Sequence, residues 1–166
     1  MKRLVVFLSL LVGTYVASAA QGSSDARLAR LFPTATAFSP KEGDPPHFTA
    51  FGANKAVLGY AFYTTEILPL ERGYGGPIAM LIGLDTTGHL TGLIVVEHHE
   101  PYGDFSIDRP EFAAQFKGKD VRDPFKLGED VDAVSRASIT MGSAVRAVRN
   151  SSRRIARALL TTTPSK

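Results

Sequence analysis

An α+β domain, an antiparallel sheet with helices packed on it, is the fold class this sequence predicts, and three observations carry that reading. Two apolar runs, Ile78 to Leu84 and Leu90 to Val96, are joined by Asp85-Thr86-Thr87-Gly88, which is turn chemistry between strand-like segments. A run rich in aromatic and β-branched residues, Val57 to Thr65, precedes them and reads as a further strand. A long stretch near the end, about Thr140 to Leu160, carries Val145, Val148, Ile155 and Leu159 at the spacing of one helix face. Strands grouped ahead of the main helix favour a segregated sheet-and-helix layout.

The remaining elements follow in order. Ala26 to Leu31 predicts a short helix, with Ser23, Ser24 and Asp25 as capping side chains and Pro33 as its stop. Pro40 to Pro46 reads as a loop, and Gly73-Tyr74-Gly75-Gly76 as a flexible turn. The apolar character of the hairpin strands predicts burial on both faces. Pro110 to Phe116 has room for one or two helical turns. No repeat or linker divides the chain, so residues 21–166 are expected to form one domain.

The first twenty residues read as an address. Lys2 and Arg3 precede an apolar run from Leu4 to Val16, and Ala17-Ser18-Ala19-Ala20 supplies small residues at cleavage-site spacing. The run is shorter than the ~20 residues of a membrane-spanning helix. Residues 1–20 are therefore expected to be a signal peptide, cleaved after Ala19 or Ala20, with an uncleaved membrane anchor as the alternative. The signal's style points to a bacterial periplasm. Losing Lys2 and Arg3 lowers the formal charge from +3 to +1, and all 16 acidic residues lie at or before Asp132. The cationic tail includes Arg146, Arg149, Arg153 and Arg157 on one helix face. These form either a solvated face or a docking site for an acidic partner. An exported chain is not expected to meet nucleic acid.

With no cysteine in 166 residues, disulfides, thiolate metal sites and iron–sulfur ligation are excluded. His98-His99-Glu100 is the densest cluster of metal-capable side chains, yet neighbours on an extended segment point to opposite faces. The glycine turn at 73–76 lacks the lysine of a phosphate-binding P-loop. Most informative is Asp132-Ala133-Val134-Ser135-Arg136-Ala137-Ser138-Ile139-Thr140, leading directly into the last helix. Hydroxyls at a helix start can cap it, or can sit where backbone N–H groups and the macrodipole favour a phosphate.

That segment resembles the Asp-x-x-Ser-Gly-Ala-Thr signature of the bacterial FMN-binding domain family, found in flavoprotein subunits of Rnf and sodium-pumping quinone reductase complexes and in periplasmic NosR-type proteins. Leu58-Gly59-Tyr60-Ala61-Phe62, Gly73-Tyr74-Gly75-Gly76-Pro77-Ile78, Leu81-Ile82-Gly83-Leu84-Asp85, Gly88-His89-Leu90 and His98-His99-Glu100-Pro101 are similar to the NosR-type version in the same order, so the likeness runs from about Leu28 to Leu160. It implies an FMN cofactor, esterified through its phosphate to Ser138 by a dedicated flavin transferase. Asp132, Ser135, Arg136, Ala137 and Thr140 would surround the attachment point. Tyr74, Gly75, His99, Glu100 and Pro101 would line the ring site. Two positions depart from the signature: Arg136 stands for glycine and Ser138 for threonine. If the glycine has positive φ, arginine is strained there, or its guanidinium contacts the phosphate. The implied function is an exported electron-transfer module working with a membrane redox protein; the alternative is a flavin-free binding or assembly module.

Overall fold

The computed structural model describes residues 26–160. The expected signal peptide and the capping residues Ser23, Ser24 and Asp25 lie outside the described residues. Helix α1 occupies 26–31. It is followed by strands β1 (Ala37–Phe38), β2 (Phe48–Phe51), β3 (Val57–Tyr63), β4 (Ala79–Asp85) and β5 (Leu90–Glu97), then helices α2 (Pro110–Ala114) and α3 (Ser138–Leu159). The strands form one antiparallel sheet in the order β1-β2-β3-β4-β5, each paired with its sequence neighbour.

The hairpin, the third strand and the long helix stand where the sequence placed them. β3 stops at Tyr63 because Thr64–Glu66 closes a 3-10 turn, where the buried Thr64 hydroxyl donates to the Ile78 carbonyl at 2.8 Å and accepts the Met80 N–H at 3.0 Å. β1 and β2, of 2 and 4 residues, were not anticipated; segments that short carry no readable alternation.

Burial explains the layering. Along β4 alternate residues serve opposite faces: Met80, Ile82 and Leu84 join the core beneath α3, while Leu81 joins Leu28, Leu31, Phe32, Ala50 and Ala61 under α1. Both sides of β4 are thus covered, as its apolar run predicts, whereas β5 departs from that expectation, being buried at Leu90 and Leu93 and half-buried or exposed at its other positions. The buried face of α3 contains Met141, Val145, Val148 and Ile155, with Ser143 and Ser151 between them. Those two serines satisfy themselves on their own helix, donating to the Thr140 and Ala147 carbonyls at 2.8 and 2.6 Å. Among the described residues no helix is long and apolar enough to cross a membrane.

Candidate functional site

The start of α3 is built by a turn. The Ala137 N–H donates to the Val134 carbonyl at 3.2 Å, and Arg136, third in that turn, has φ of 71°. This is the left-handed region where glycine is at home and arginine is not. Ala137 is the N-cap, and no side chain caps the helix. Alanine is a poor cap, and the first N–H groups of any helix lack intrahelical acceptors. The N–H groups of Ser138, Ile139 and Thr140 therefore face outward at the positive end of a 22-residue helix, with no acceptor among the described residues. The hydroxyls do not cap: Ser138 is exposed, with no hydrogen-bond partner among the described residues, and Thr140 is buried and bonded elsewhere.

Thr140 is bonded to Glu100. The Glu100 side chain, 6 % exposed, accepts the Thr140 hydroxyl at 2.5 Å, the Tyr74 N–H at 3.1 Å and the Gly75 N–H at 2.8 Å. One carboxylate thereby fastens the 73–76 turn to the first turn of α3. The approach is close enough to require glycine: a Cβ on Gly73 would overlap the Glu100 carboxylate, and one on Gly75 would overlap the His99 carbonyl oxygen. Behind it, His98 Nδ1 accepts the Glu100 N–H at 3.1 Å, which puts the ring proton on Nε2, 3.0 Å from Asp108.

Between these two fastened walls runs a cleft of about 480 Å³ lined by Tyr74, Pro101, Tyr102, Arg136, Ala137, Ser138, Ile139 and Thr140. Its size falls in the range of about 300–1,000 Å³ for small-molecule sites. Tyr74, Tyr102 and Ile139 are 76, 46 and 65 % exposed, and Phe105, at 44 %, packs on Tyr102 with ring centroids 5.5 Å apart. Exposed apolar side chains thus gather at and beside the cleft. Arg136 is the one charged side chain among the lining residues described.

Of the residues expected from sequence, Tyr74, Pro101, Arg136, Ala137, Ser138 and Thr140 meet at this cleft. Glu100 and Gly75 stand behind its wall as the fastening pair, and His99 contributes the carbonyl that Gly75 packs against. Ser135 is exposed in the turn, and Asp132 borders a different cleft with Phe105 and Arg109. Tyr102 and Ile139 were missed. Ile139 carried a usable signal, an apolar residue between two hydroxyl residues on the side of α3 away from its apolar stripe. Arginines of the predicted face are also bonded within the fold, although Arg146 and Arg157 remain exposed. Arg146 pairs with Glu71 at 3.1 Å, Arg149 donates to Asn150 at 3.2 Å, and Arg153 donates to the Val121 and Asp123 carbonyls at 2.9 and 2.8 Å.

An apolar cleft with Arg136 in its lining and open N–H groups on the helix turn that walls it suits a planar aromatic ligand with an anionic tail. Residues 73–152 match the model of the FMN-binding domain, a span that contains every residue lining the cleft. The chain is 33 % identical over 149 residues to the regulatory protein NosR of Stutzerimonas stutzeri, an alignment covering 81 % of this chain and 20 % of NosR. It is 29 % identical over 121 residues to a subunit of the ion-translocating oxidoreductase complex of Vibrio vulnificus, covering 61 % of this chain and 56 % of that protein. The crystal structure of Shewanella oneidensis NqrC aligns with a TM-score of 0.49 at 23 % identity, over 71 % of this chain and 65 % of NqrC. The chain thus spans about a fifth of the length of NosR. Residues 73–152 thus carry the likeness to the FMN-binding domain, and FMN is the ligand that this match points to.

Proposed function

We propose that this chain is an exported electron-transfer domain carrying FMN as a phosphoester on Ser138. The observation that carries this reading is the Ser138 hydroxyl: exposed in the cleft wall, unused by the fold among the described residues, and beside N–H groups that lack acceptors. Attachment by a flavin transferase forms the bond between Ser138 Oγ and phosphorus. The hydroxyl proton is lost, and the group the flavin donor carried on that phosphate departs with the bonding pair. The N–H groups of Ser138 to Thr140 would be the donors available to the phosphate. Tyr74, Pro101, Tyr102 and Ile139 would give the ring system an apolar seat. Bound FMN supplies the redox chemistry, and the protein supplies placement and electrostatics. The leader at 1–20 directs export, and a membrane-linked redox protein is the electron donor or acceptor, in keeping with the ion-translocating complex named for one relative.

Coexpression with a flavin transferase tests this. Intact mass should show one FMN adduct on the parent chain, none on Ser138→Ala, and an adduct retained on Thr140→Ser. A Ser138→Ala protein that still carries covalent flavin overturns the assignment. A parent chain with neither adduct nor bound flavin supports the flavin-free module instead.

A further inference from the structure

Arg136 is an arginine the fold does not use. Arg122, Arg146 and Arg153 all bond to carboxylates or carbonyls, but among the described residues nothing pairs with the Arg136 side chain. Its backbone sits at φ 71°, a conformation that costs free energy for any residue with a Cβ and that glycine would adopt freely. The fold therefore tolerates a strained backbone to hold at the cleft the one charged side chain among its described lining residues. The open N–H groups next to it are neutral donors, able to hold a hydroxyl as well as a phosphate. The helix dipole adds a partial positive charge there, and the guanidinium adds a full one, so it carries the larger share of any discrimination by charge.

We propose that Arg136 is a specificity residue that makes the cleft select phosphorylated over unphosphorylated flavin. The proposal rests on the FMN reading of the cleft and adds the basis of its selectivity. A phosphate monoester carries about −1.5 to −2 at pH 7, and the planar guanidinium fork matches its oxygens. Riboflavin offers the same ring with no charge at the tail.

The test uses apo protein with Ser138→Ala, which prevents attachment, and measures quenching of free FMN and riboflavin fluorescence at low salt. FMN should bind about tenfold more tightly than riboflavin, the size expected for one charge-assisted contact. Adding Arg136→Asn, a residue that tolerates positive φ, should remove most of that preference and leave riboflavin binding within about twofold. Arg136→Lys should keep part of the preference, and raised salt should erode it in the parent background but not in the Asn variant. An FMN-to-riboflavin ratio unchanged by Arg136→Asn overturns the proposal, as does failure of either flavin to bind. The FMN reading is judged separately, on the adduct mass of the coexpressed parent chain, which does not depend on this ratio.

Discussion

The two ends of α3 handle polar groups in opposite ways. At its C-terminal end Arg153 reaches the Val121 and Asp123 carbonyls, Arg122 pairs with Asp120, and Asp85 Oδ1 accepts the Thr87 and His89 N–H groups at 2.8 and 2.9 Å. At its N-terminal end the helix is uncapped, Ser138 and Arg136 lack partners among the described residues, and aromatic side chains face solvent. The difference teaches where to look for function. Groups that the fold satisfies hold the fold, and groups that it places but leaves unsatisfied are held for something else.

The sharpest way to break this comparison is Glu100, whose carboxylate ties the glycine turn to the first turn of α3. Glu100→Ala leaves the Tyr74 and Gly75 N–H groups and the Thr140 hydroxyl without their acceptor, costing about 3 kcal/mol and lowering the melting temperature by roughly 10 °C. Flavin bound to the folded fraction should become more fluorescent as the two walls separate. Unchanged fluorescence would mean that the cleft keeps its shape without the carboxylate. Glu100→Gln, which keeps one acceptor, should fall between.

A smaller effect, spread over several groups, is expected from acid. Arg122, through its side chain and its backbone N–H, holds Asp120 well below the usual carboxylate range. For Asp85 burial pushes upward, but hydrogen bonds from His89 and Thr87 outweigh it and the net shift is downward. Asp130 behaves likewise, burial being outweighed by bonds from Lys126, Lys119 and Phe125. A depressed folded pKa adds stability above the unfolded value of about 3.9 and loses it as pH falls through the folded value. Urea midpoints should be level from about pH 7 to 5 and decline below about pH 4. Asp85→Asn with Asp120→Asn should flatten that decline. An equally steep decline in the double variant would place the acid-sensitive groups elsewhere.

The smallest effect separates two adjacent arginines. Arg153→Gln loses two backbone carbonyl contacts and should cost about 1 kcal/mol in chemical denaturation, whereas the exposed Arg154→Gln should change stability by less than about 0.5 kcal/mol. Equal costs would return Arg153 to the solvated face that its spacing first suggested.

That spacing shows what could be read in advance. Periodicity places Val145, Val148 and Ile155 on the buried face of α3, because burial imposes a repeat on the chain. It also puts the arginines on one side, but Glu71 and the Val121 carbonyl come from loops far along the chain, and no local pattern announces them. Glu100 is the same case: an acidic residue after a strand reads as surface chemistry until the fold brings three donors to it. Serine and threonine before a helix suggest capping, yet the helix begins at Ser138 behind an alanine, so the preference for those residues as caps is not what sets them there. The strained turn at Arg136 was legible only through the glycine of the resembling signature. The conformation that a glycine permits is invisible once another residue has replaced it.

The Glu100 fastening joins partners 25, 26 and 40 residues away, so no short contiguous peptide contains it. An isolated segment spanning 132–145 has the whole signature and none of the wall opposite. Ser138 is presented beside an apolar seat only after the sheet, the glycine turn and the helix have assembled. On the proposed attachment to Ser138, a modifying enzyme that reads this arrangement would read completion of folding, and its ester would be a durable record, molecule by molecule, of chains that reached the native state.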